Sequence, residues 1–186
     1  MDNVLRSKAR NIKMLLLDVD GVLTDGTFVP GVPGVPGVPG VAGDGSESKR
    51  FHSRDGIGLV LAREAGLKLG LISGRRSTVV EARARELRMH FVSLGATDKL
   101  AALDEALAQE QCDLSELAYM GDDLPDLAIL TRAGLSATVA DAPLDVRSRV
   151  DYVTRARGGY GAVRELVELI LSSQGKLEDL IRSYLR

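Results

Sequence analysis

The sequence predicts an α/β protein built on a doubly wound parallel sheet. Three features predict it: short apolar runs of strand length, segments of helical periodicity between them, and acidic or glycine-bearing motifs directly after the runs. Parallel strands need crossover helices, and in such a sheet the working site lies at the C-terminal ends of the strands. Every motif discussed below falls there.

The first strand is Lys13 to Val19, a nearly continuous apolar run ending in acidic residues, as expected for a strand buried on both faces. Similar runs follow at Lys68 to Ile72, Phe91 to Leu94, Leu117 to Met120 and Leu135 to Val139. Between them, Ser77 to Leu87 reads as a helix capped by Ser77 or Thr78, with Val79, Val80, Ala84 and Leu87 near one face. Lys99 to Ala108 and Leu124 to Leu130 read the same way. After Gly158-Gly159-Tyr160-Gly161, whose glycine density marks close backbone approach, a helix is expected from about Ala162 to Ser172. The tail, 173–186, ends in an amphipathic helix with Leu177, Leu180, Ile181, Tyr184 and Leu185 on one side. Nothing in the tail's sequence decides whether it packs on its own core or on a neighbour.

The 186 residues are expected to form one domain, 45% hydrophobic and 27% charged, which excludes disorder for the chain as a whole. The 24 basic and 26 acidic side chains leave a net charge of -2, with no basic surplus for a nucleic acid or an anionic membrane. No apolar run approaches the ~20 residues of a membrane helix. A single cysteine, Cys112, and the lack of an apolar leader at the N-terminus point to the cytoplasm. Cys112 and His90 are read as structural.

One segment breaks the alternation. Residues 29–40 are four copies of Val-Pro-Gly and hold four of the six prolines, which forbids a central strand or a helix. The flanks are expected to pair as a hairpin over about 26–52, with the repeat as an expanded loop that carries no chemistry.

The chemistry lies in four pieces. Asp18-Val19-Asp20-Gly21 ends the first strand and sets two carboxylates at i and i+2, where they can converge on one centre while Gly21 lets the chain turn. Ser73-Gly74-Arg75 ends the second strand, Asp98-Lys99 opens a helix, and Gly121-Asp122-Asp123-Leu124-Pro125-Asp126 follows the fourth strand. Each piece alone reads as an ordinary turn or a solvated charge; the ordered set does not.

This set resembles the haloacid dehalogenase superfamily of phosphotransferases, over essentially the whole chain. The resemblance implies that Asp18 attacks phosphorus, and that Asp20 protonates the leaving oxygen and then deprotonates water. It implies that Ser73 and Lys99 hold the phosphoryl oxygens, and that Asp18, Asp122 and the backbone carbonyl of Asp20 bind Mg2+. Asp123 and Asp126 are expected to position metal-bound water or Lys99 from behind.

Within the superfamily, Asp18 to Gly26, the loop Phe51 to Gly58, Ile72 to Arg75 and the tail segments Gly158 to Glu165 and Ser173 to Leu177 are similar to the 3-deoxy-D-manno-octulosonate 8-phosphate phosphatase family. That family lacks a cap domain, and a β-hairpin stands in its place. The resemblance implies a phosphorylated sugar acid as substrate, a place in lipopolysaccharide biosynthesis, and a homotetramer whose neighbours cover the site. It further implies substrate contacts from His52, Ser53, Arg54, Asp55, Gly56, Arg75 and Arg83, with arginine suited to the acid's carboxylate. His52 stands where relatives commonly have asparagine, and Val60 and Tyr160 also depart from the pattern. Alternatives are a phosphatase of a nine-carbon sugar acid 9-phosphate, a phosphomutase, and a catalytically silent assembly subunit.

Overall fold

In the computed structural model, residues 3–27 and 47–185 are described. Six strands form one sheet, all parallel: β1 (Met14–Leu17), β2 (Lys68–Ser73), β3 (Phe91–Leu94), β4 (Leu117–Met120), β5 (Leu135–Thr138) and β6 (Tyr152–Val153). Their order is β3-β2-β1-β4-β5-β6, so β1 is central and the chain reverses direction beside it. All four residues of β1 are buried, as are those of β4 and β5, because helices cover both faces.

On one face α1 (Asn3–Arg10), α2 (Ser53–Glu64) and α7 (Ala162–Ser173) pack together, and on the other α4 (Lys99–Glu110) packs with α5 (Leu127–Leu130). The remaining helices are α3 (Thr78–Glu86), α6 (Leu144–Arg147) and α8 (Leu177–Ser183). The predicted caps form: Ser77 Oγ accepts from the Val80 N–H at 3.3 Å, and Asp98 accepts from Leu100 at 2.9 Å and Ala101 at 3.2 Å. Among the described residues no helix is long and apolar enough to cross a membrane.

The structure differs from the sequence reading in several elements. α1 and β6 are additional, the first a largely polar helix with Ala9 as its buried residue, the second two half-buried residues on the sheet edge. The 124–130 helix is a 3-10 turn, Leu124–Asp126, followed by a single α-turn, since Pro125 suits only the start of a helix. The stretch 51–58 is not a loop: α2 begins at Ser53, with His52 as its N-cap. The amphipathic tail helix ends at Ser183 and buries no residue fully. Most of the expected hairpin, and the whole Val-Pro-Gly repeat, lie outside the described residues.

Candidate active site

Register brings the motifs to one level. Leu17 pairs with Leu71 of β2 and with Met120 of β4, so Asp18 leaves the sheet beside Ile72-Ser73 on one side and Gly121-Asp122 on the other. The Asp18 N–H still donates to the Met120 carbonyl at 2.9 Å, which fixes its backbone. The chain then turns tightly, with the N–H groups of Val22, Leu23 and Thr24 converging on the Val19 carbonyl. Gly21 makes this turn at φ +89°, and a β-carbon there would overlap the Asp122 carboxylate. The Gly158-Gly159 segment braces the turn from behind: Gly159 N–H donates to the Val22 carbonyl at 2.9 Å, and a β-carbon on Gly158 would overlap the Gly21 carbonyl.

Three carboxylates meet here. Asp18, Asp122 and Asp126 each offer an oxygen within 4.8 Å of the others. Lys99, the first residue of α4, donates to Asp18 Oδ1 and to Asp126 Oδ1, both at 2.7 Å. The buried Tyr119 hydroxyl adds a 2.6 Å bond to Asp126 Oδ1, while Asp126 Oδ2 accepts from the amides of Asp122 at 3.3 Å and Asp123 at 3.4 Å. Both oxygens of Asp126 are thus engaged, one with Lys99 and Tyr119 and the other with the 121–126 turn. Asp123 caps the 3-10 turn through the Leu124 N–H at 2.8 Å.

The electrostatics are those of an unfinished charge cluster. Burial, then the charge of Asp126, raises the Asp18 carboxyl from 3.8 to about 7 against the pull of Lys99. Burial, then Asp18, Asp126 and Asp123, raises Asp122 to about 7 as well. For Lys99 burial opposes the charge, but Asp18 and Asp126 outweigh it and hold the ammonium above its ordinary value. Burial keeps the Tyr119 phenol far above its usual range, hence a neutral donor. Three acids against one lysine leave negative charge that a hard divalent cation, with its preference for carboxylate oxygen, fits. Asp18 and Asp122 are the carboxylates with oxygens to spare.

Around this centre the other expected residues divide. Ser73 is buried at the end of β2, its Oγ accepting from the Arg75 N–H at 3.3 Å. Asp20 lies on the turn, with Arg75 Nε 3.8 Å from its Oδ2. His52 caps α2 through Nδ1, accepting from Arg54 N–H at 3.2 Å, and its ring lies 6.4 Å from that of Tyr160. Ser53 and Arg54 are exposed on the first turn of α2. Arg83 donates to Glu86 at 2.8 Å and sits 5.6 Å over the Phe51 ring.

Two of the expected substrate contacts lie buried at the start of α2. Asp55 is 1% exposed and faces inward, where it accepts from the N–H groups of Gly161 at 3.1 Å and Arg164 at 2.8 Å. Its carboxylate serves the open N-terminus of α7. Gly56 is buried likewise; the space a β-carbon would take is filled by the Arg83 guanidinium. The helical start at Ser53, unlike a loop, turns both positions toward the core.

Sequence reasoning missed Tyr119, Glu47 and Lys49. Tyr119 carried a usable signal, a lone hydroxyl inside an apolar strand that must find a partner. Lys49 and Glu47 carried none, since isolated charges in a polar segment read as solvated. Lys49 is in fact buried against Asp20, with Glu47 at 3.5 Å.

The sequence profile of haloacid dehalogenase-like hydrolases matches residues 89–165. The 3-deoxy-D-manno-octulosonate 8-phosphate phosphatase of Yersinia pestis is 41% identical over 177 residues, covering 95% of this chain and 88% of that protein. The corresponding protein of Escherichia coli K12 is 40% identical over 173 residues, covering 93% and 86%. Among solved structures, the Moraxella catarrhalis 3-deoxy-D-manno-octulosonate 8-phosphate phosphatase, in complex with magnesium ion, phosphate ion and the sugar acid, superposes with a TM-score of 0.89 at 37% identity, covering 99% of each chain.

Proposed function

The chain belongs to the haloacid dehalogenase-like hydrolases, in the family of the 3-deoxy-D-manno-octulosonate 8-phosphate phosphatases, and from that premise we propose that it hydrolyses this sugar acid phosphate to the free sugar acid and phosphate. The observation that carries the reading is the cluster of Asp18, Asp122 and Asp126 at the end of the central strand, with Lys99 bonded to Asp18 and Asp126.

In this reading Asp18 and Asp122, with the backbone carbonyl of Asp20, hold Mg2+, as the Moraxella relative's bound magnesium supports. When bound, the cation offsets the carboxylates' charge and that of the phosphoryl oxygens. An Asp18 oxygen forms a bond to phosphorus as the bond to the sugar oxygen breaks, and Asp20 gives that oxygen its proton. Lys99 and Ser73 hold the phosphoryl oxygens in line with Asp18. Water then attacks the aspartyl phosphate, Asp20 takes its proton, and Asp18 is freed. Arg75, Arg83 and His52 face the sugar acid, with an arginine on its carboxylate.

The resemblance also supports a cytoplasmic enzyme of lipopolysaccharide biosynthesis acting as a homotetramer. Exposed Ile57, Leu124, Tyr184 and Leu185 are apolar surface that such an assembly would cover. The test is phosphate release from the eight-carbon acid 8-phosphate, a nine-carbon acid 9-phosphate and simple sugar phosphates, with magnesium and with chelator. Magnesium-dependent release favouring the eight-carbon acid is expected, and Asp18→Asn should abolish it while leaving the circular dichroism unchanged. Equal, slow release from every ester would remove the named substrate, and full activity of Asp18→Asn would remove the mechanism.

A further inference from the structure

Lys49 has a wholly inaccessible side chain, and its ammonium contacts Asp20 Oδ1. A buried ammonium is costly unless it is paired, and two carboxylates pair with it here: Asp20, and Glu47 with Oε2 at 3.5 Å. On the far side Arg75 closes the circuit, with Nε 3.8 Å from Asp20 Oδ2 and Nη2 3.8 Å from Glu47 Oε2. Asp20, Lys49, Glu47 and Arg75 thus alternate in sign around a ring, and Thr24 Oγ1 adds a contact of 3.5 Å to Asp20 Oδ1. The bond from Lys49 to Asp20 joins residues 29 apart in sequence. Lys49 and Glu47 come from the chain that follows the Val-Pro-Gly repeat.

We infer that Lys49 is a positioning residue for Asp20, clamping Oδ1 so that Oδ2 is held toward the reacting oxygens. The inference rests on the acid and base role proposed above for Asp20. Asp20 stands on a turn three residues beyond Leu17, the end of β1, where its carboxylate is free to rotate unless something holds it. The lysine supplies that hold, and Glu47, with Oε2 at 3.5 Å, is the second carboxylate beside the buried ammonium. In the first step the proton on Oδ2 passes to the leaving sugar oxygen as the phosphorus–oxygen bond breaks. In the second, water gives a proton back to Oδ2 as its oxygen bonds to phosphorus and the Asp18–phosphorus bond breaks. A misdirected Oδ2 slows both transfers while leaving the attack by Asp18 and the binding of phosphate in place.

A poor leaving group exposes the difference. A sugar phosphate needs the proton from Asp20, whereas p-nitrophenyl phosphate expels a stable phenolate without it. The experiment compares Lys49→Met, Lys49→Arg and Asp20→Asn with the parent protein on both esters, at saturating magnesium. For Lys49→Met, kcat on the sugar phosphate should fall about 10- to 100-fold with KM unchanged, part of the ~10²–10⁴ that general acid–base catalysis contributes. On p-nitrophenyl phosphate the first turnover should stay fast, giving a burst of nitrophenolate equal to the active sites before a slow second step.

Lys49→Arg keeps the charge but shifts the donor, and should show the same split at smaller amplitude. It carries the test if Lys49→Met does not fold, which thermal melting reports. Equal loss on both esters without a burst, or an unchanged kcat, would overturn the inference. Asp20→Asn separates the two claims. A leaving-group split in Asp20→Asn but not in the Lys49 variants overturns only the positioning role, and no split in Asp20→Asn overturns the acid–base reading on which it rests.

Discussion

The chemistry of the site is a matter of single oxygen atoms. Asp18, Asp122 and Asp126 occupy neighbouring positions, yet only Asp126 has both oxygens committed, to Lys99 and Tyr119 on one side and two amides on the other. Removing the Tyr119 hydroxyl should therefore loosen Asp126 and Lys99 without touching substrate. Tyr119→Phe is expected to weaken magnesium binding or kcat about 10-fold, the usual cost of losing an outer support, as read by metal titration of activity. A second prediction concerns protons. Burial first, and neighbouring carboxylates second, raise Asp18 and Asp122 from 3.8 to about 7. The folded, metal-free protein then binds more protons than the unfolded chain between these values, so its stability falls as pH rises through that window. In chelator the melting temperature should be lower at pH 8 than at pH 6, and magnesium should raise it most at pH 8. Asp18→Asn with Asp122→Asn should flatten the dependence; a melting temperature that rises with pH in chelator would contradict the charge cluster.

At the scale of elements, the site is held by a contact between two helices. Asp55 on the first turn of α2 accepts from Gly161 and Arg164 at the start of α7, and the Gly158-Gly159 segment just before α7 braces the catalytic turn. Asp55→Ala leaves two half-buried amide donors unpaired. It should cost about 1–3 kcal/mol of stability, measured by denaturant unfolding. If the carboxylate serves the helix alone, KM for the sugar phosphate stays unchanged; a rise in KM with unchanged stability would show that it contacts the substrate. Such a helix-to-helix cap was not legible in the sequence. Gly56 and Gly58 weaken the helical signal of 53–64, so its first residues, through Gly58, read as a loop. α1 escaped for a related reason, since Ala9 is its one fully buried residue and the periodicity of apolar residues is faint.

At the scale of the whole molecule, every residue assigned to the chemistry lies in 3–27 or 47–185, outside the repeat 29–40. Deleting the repeat is therefore expected to leave kcat/KM unchanged and to alter stability by about 1 kcal/mol or less, because closure of a longer loop grows only logarithmically with its length. A large loss of activity, with the association state unaltered in light scattering, would give the repeat a direct part in catalysis.

The central strand, the level at which the four motifs emerge, and the placing of Asp18, Asp20, Ser73, Lys99 and Asp122 at that level were legible in the sequence alone. Apolar runs and acidic turns are local patterns, and the rule that parallel strands end on one side does the rest. Only the tertiary structure decided that Asp55 and Gly56 face the core, that Tyr119 steadies Asp126, and that Lys49 lies buried on Asp20. These depend on which distant groups a side chain meets once the chain is packed, and no local pattern records such a meeting.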